Sequence, residues 1–149
     1  MEASLGIDIQ AIENYQTVLQ RFGTWPSFHD SEIHSILLDR DGPDRPYLEM
    51  RVHVFATTSD VDKEGRYVRD KQTMITMRFS GIESEEIVEF NVQNVIFDLH
   101  MQADRDRISV EISSSFGCAG SFTCKRVAVK SVEDFKDESG DAIHNSQPK

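Results

Sequence analysis

From Glu32 onward the apolar residues recur at every second position, and this period limits the chain more than any other feature it carries. Leu48, Met50, Val52 and Val54 alternate with Tyr47, Glu49, Arg51 and His53. Only an extended backbone puts residues i, i+2 and i+4 on one face, so this stretch predicts a half-buried strand. Thr73, Ile75, Met77 and Phe79 alternate in the same way with Met74, Thr76 and Arg78. Ile108, Val110 and Ile112 alternate with Ser109, Glu111 and Ser113. Val127 and Val129 resume the period after a glycine-containing break at Gly117–Gly120. Ile33, Ser35 and Leu37 are interleaved with His34, Ile36 and Leu38, which predicts a strand covered on both faces. Between Glu86 and Met101, the apolar positions predict two strands interrupted near Asn91–Asn94.

Ahead of the strands the spacing is helical. Ile9, Ile12, Tyr15, Leu19 and Phe22 follow Asp8, a good N-cap, and Gly23 and Pro26 close the segment. The expected architecture is therefore α+β: one N-terminal helix packed on a largely antiparallel sheet of six or seven strands. Strands and helices do not alternate, which argues against a doubly wound nucleotide-binding fold. At 149 residues the chain suits one domain, expected over residues 1–132. Residues 133–149 read as a flexible acidic tail with few apolar side chains after Phe135.

The formal net charge is −10, from 26 acidic and 16 basic side chains. A surface of that sign repels phosphate backbones, so nucleic acid is not an expected partner. The longest apolar runs fall far below the ~20 residues of a membrane-spanning helix. Leu5 and Ile7 are followed by Asp8, without the basic and apolar regions of an export signal. Two cysteines and no such signal point to a reducing cytoplasm.

Few side chains are arranged for chemistry. Asp60, Asp62 and Glu64 followed by Gly65 mimic the start of a calcium loop, but position 12 is Lys71 where a bidentate glutamate is required. A solvated hairpin loop is the better reading. Cys118 and Cys124 lack the partners of a zinc site and read as half-buried thiols. The densest cluster runs from Trp25 to His34 and holds the only tryptophan, two histidines and the carboxylates of Asp30 and Glu32. Trp25 and Phe28 would plug the end of the sheet, with His29 bonded to a carboxylate. The alternative is a metal-binding or metal-dependent hydrolase site using His29, Asp30, Glu32 and His34, since i and i+2 side chains can share a metal. Asn91 and Asn94 would bind backbone groups in a turn. No phosphate loop or nucleophile motif is present, and no cofactor is expected.

The order of these features resembles the immunity protein 50 family. The resemblance is carried by Phe22-Gly23-Thr24-Trp25-Pro26-Ser27-Phe28-His29-Asp30-Ser31-Glu32-Ile33, supported by Phe90-Asn91-Val92-Gln93-Asn94-Val95, and covers roughly residues 9–130. It implies a small, non-enzymatic cytosolic protein of a bacterial polymorphic toxin system, which binds and neutralises a cognate toxin. The acidity suits a basic partner domain. Expected contacts are Trp25, His29, Asp30 and Glu32, the loop acids Asp60, Asp62 and Glu64, and the run Glu83, Glu85 and Glu86. An unpaired edge strand leaves both monomer and homodimer open.

Overall fold

The computed structural model describes residues 6–136. Its strands are β1 (Glu32–Asp39), β2 (Tyr47–Val61), β3 (Tyr67–Ser80), β4 (Glu83–Val88), β5 (Val95–Asp104), β6 (Arg107–Phe116), β7 (Ala119–Cys124) and β8 (Arg126–Asp134). All pair antiparallel, in the spatial order β4-β7-β6-β5-β1-β2-β3-β8. Eight strands replace the expected six or seven. The extra one is β7, which lies where the sequence suggests a glycine break. Gly120 belongs to the strand because a Cβ there would come within 2.5 Å of the Glu86 carbonyl on β4.

The single helix is also shorter than expected. Asp8 caps only a 3-10 turn, Ile9–Ala11, by accepting from the Gln10 N–H at 3.0 Å. The chain then straightens, and Glu13 bonds β8 through Val127 O at 2.9 Å and Val129 N at 2.8 Å. The free side of that edge strand thus competes successfully for backbone that helical periodicity had claimed. Asn14 turns in the left-handed region, and α1 (Tyr15–Phe22) follows, with Val18 buried. Gly23 ends it at φ 81°, its N–H on Leu19 O at 2.7 Å.

The long sheet doubles over into two facing halves, β4-β7-β6-β5 and β1-β2-β3-β8. Phe79 of β3 and Phe122 of β7, far apart in strand order, meet edge to face at 5.1 Å in the core. Met50, Val52, Ile75, Met77, Ile96, Met101, Val110 and Val127 fill the same interior. On one side the chain crosses between the halves at β3–β4 and β7–β8. There Gly81 N donates to Pro46 O at 3.0 Å and Lys125 N to Ser80 O at 2.8 Å. On the other side β1 pairs with β5 in a short ladder, Glu32 opposite Val95.

That short seam overturns one expectation. β1 is not covered on both faces, for Leu37 and Leu38 are half exposed. β5 diverges beyond Glu32, so the rest of β1 is flanked by β2 alone. The expected tail starts with Glu133 and Asp134, which pair with Met74 and Thr73, and Phe135 N bonds Gln72 O. Residues 137–149 of that tail lie outside the described residues.

Candidate functional site

The two segments singled out by the sequence meet at the seam. Asp30 N donates to Ile96 O at 2.9 Å, Ile96 N to Ser31 O at 2.8 Å and Ile33 N to Asn94 O at 2.9 Å. Asn94, 2% exposed, is the hub. Its Oδ1 accepts from Asn91 N at 2.8 Å and Cys118 N at 3.0 Å, and its Nδ2 donates to Asn91 O at 2.8 Å and Ile33 O at 3.3 Å. One amide thus ties together the β4–β5 turn, β1 and the β6–β7 turn. Gly117 completes the fit at φ 80°, since a Cβ there would clash with Gln93 O and Asn94 Oδ1.

The 25–32 segment reaches the seam through a contorted turn. Phe28 and Asp30 both have left-handed backbones, at φ 65° and 67°, an uncommon state for a bulky aromatic. Burial anchors it: Trp25 is 5% and Phe28 2% exposed, with ring centroids 6.0 Å apart. Trp25 therefore shapes the turn from inside the core. His29 stands outside it. Its Nδ1–H donates to Phe97 O at 2.9 Å, its ring meets the Phe97 ring edge to face at 5.3 Å, and Nε2 lies 3.5 Å from Asp30. A groove of about 350 Å³ runs beside this turn, between Thr24–Asp30 and Phe55–Thr57 of β2.

Glu32 and His34 share the outer face of β1, as their spacing predicts, away from the His29–Asp30 pair. Glu32 faces His53 across the strands, and the His34 ring meets Phe135 at 5.3 Å. His53 stacks on Phe135 at 3.8 Å with its Nε2–H on Gln72 Oε1. Burial pushes the pKa of both His34 and His53 down. Among the described residues, no three His, Cys, Asp or Glu side chains gather as a metal cluster. Cys118 and Cys124 are free and buried, and burial pushes the Cys124 thiol up to about 12, far from a reactive thiolate.

The other candidate acids lie apart from the seam. Asp62 closes the β2–β3 hairpin by accepting from Glu64 N at 2.9 Å and Arg66 N at 3.0 Å, and Glu64 pairs with Arg66. Asp60 belongs to the same hairpin. Glu83, Glu85 and Glu86 line the exposed edge strand β4, and Glu83 lies 3.7 Å from Arg107.

Sequence reasoning missed the apolar surface around the hub. Phe90 is 50%, Val92 97%, Phe97 57% and Phe116 53% exposed. Phe90 and Val92 belong to the Asn94-bonded turn, Phe116 faces Val95 across β5–β6, and Phe97 follows two residues along β5. The signal was the placement of Phe90 and Val92 in a turn otherwise made of polar residues.

The chain matches immunity protein 50 over residues 14–135, from the cap of α1 to the phenylalanine stacked on His53. It belongs to the immunity protein 50 family. Comparison with curated proteins and with solved structures returned no match. For this immunity protein 50 chain the family match spans nearly the whole described fold, and the seam lies wholly within it. No helix among the described residues is long and apolar enough to cross a membrane.

Proposed function

We propose that this chain is a non-enzymatic immunity protein that binds a cognate toxin domain in the bacterial cytoplasm and covers its working surface. The observation that carries the reading is family membership over residues 14–135. Two features support it. The side chains best placed for chemistry are committed elsewhere: Asn94 to backbone, Asp62 to its turn, and His53 to Gln72 and Phe135. The surface at the seam presents the mixture of exposed aromatic and acidic groups that suits a protein partner. His29, Asp30 and Glu32 are the candidate contacts nearest the seam; Glu83, Glu85 and Glu86 on β4 and Asp60, Asp62 and Glu64 at the hairpin are further ones.

Co-expression with the toxin encoded beside this gene tests the reading. Cells should survive induction only when this chain is present, and the two proteins should co-elute as one species on a sizing column. Equal killing with and without it, and no complex, would reject the proposal.

A further inference from the structure

The acidic excess of the chain is concentrated in three stretches of its sequence. Residues 22–39, 79–104 and 108–124 contain ten of the 26 acidic side chains and none of the 16 lysines and arginines. The remaining residues therefore hold 16 of each sign, and these three segments account for the whole of −10. They also build the seam: 22–39 supplies the turn and β1, 79–104 supplies β4, the Asn94 turn and β5, and 108–124 supplies most of β6 and all of β7. Bases flank these segments, and Arg107 lies 3.7 Å from Glu83. An excess of acidic over basic side chains of this kind gives the face a negative field.

At its centre lie Phe90, Val92, Phe97 and Phe116, an apolar patch beside the carboxylates of Asp30, Glu89 and Asp98. An apolar centre inside a charged rim is the layout of a specific protein interface. Two copies meeting through this face would set carboxylate against carboxylate, which disfavours a second copy as the occupant.

We infer that the partner docks across the seam with an apolar group among Phe90, Val92, Phe97 and Phe116, and with lysine or arginine side chains facing the surrounding carboxylates. This rests on the proposed function and adds where the toxin domain sits and what its surface must carry. His29 joins the two halves of the surface, since its ring lies against Phe97 while its backbone belongs to the strained turn.

The probe is the purified, catalytically inactivated toxin domain encoded beside this gene, titrated against the full chain and its variants. Val92→Asp and Phe97→Ala should each weaken binding about tenfold or more. Val92 is almost wholly exposed, so its variant should melt at the wild-type temperature. Leu38→Asp, on an exposed apolar residue at the far end of β1, should bind as wild type does. If the wild-type chain binds and both seam variants bind equally well, the seam is not the interface, while the immunity function stands. If the wild-type chain neither binds nor protects, both readings fall.

Discussion

Two residues show how much of the seam is held by individual side chains. Trp25 contributes a large aromatic surface to the core beneath the left-handed turn, so Trp25→Ala is expected to destabilise by about 3–5 kcal/mol in urea unfolding. A loss below about 1 kcal/mol would mean that the ring is not anchoring the turn. Asn94 works by hydrogen bonding instead. Asn94→Ala would strand the Cys118 N–H and one acceptor lone pair of Ile33, each at about 1–3 kcal/mol when buried, for an expected loss of about 3 kcal/mol. Asn94→Asp preserves the acceptor but sets a buried carboxylate oxygen against the Asn91 and Ile33 carbonyls, so it should destabilise at least as much as Asn94→Ala in the same unfolding measurement. The sequence made Asn94 legible as a turn residue, because asparagine commonly binds nearby backbone. It could not reveal partners 24 and 61 residues away, since those depend on which strands meet.

Among the elements, strands with an unbroken apolar period were the most legible. β2 and β3 follow the alternation of Leu48–Val54 and Thr73–Phe79, and the Asn91–Asn94 interruption does separate β4 from β5. β7 was hidden because Gly120 and its small polar neighbours carry little apolar signal. The N-terminal helix was overestimated because its period says nothing about a free strand edge nearby. The outer face of β1 and β2 has a consequence for pH. His34 and His53 have lowered folded pKa values, so the native state binds fewer protons than the unfolded chain once pH drops below the ordinary histidine value. Stability should be full above about pH 6.5 and decline as pH falls through that value towards the lowered folded pKa values. Urea midpoints at pH 7.5 and 5.5 would measure the decline, and His53→Phe should reduce it while leaving the neutral-pH midpoint closer to wild type. An identical slope in the variant would exclude His53 as a source.

For the whole molecule, composition revealed a charge of −10 but not its location, because segments 22–39, 79–104 and 108–124 become neighbours only through the strand order. This segregation predicts a kinetic signature. With the inactivated toxin domain, the association rate should fall steeply between 50 and 500 mM salt while the dissociation rate changes little, because screening acts on the approach more than on the seated apolar contact. Stopped-flow mixing at several ionic strengths checks this, and a salt-independent association rate would show that the acidic side does not steer the encounter. The meeting of β1 and β5 in a short ladder has a further mechanical meaning. On this side the two halves are closed by a few backbone bonds and the side chains of Asn94 and His29, so it is the natural place for the molecule to gape. A protein seated across it would act as a clasp, raising the cost of opening by its own binding free energy. Slowed amide exchange at Asp30, Ile33 and Ile96, whose N–H groups bond across the seam, would then be the print of the occupied clasp.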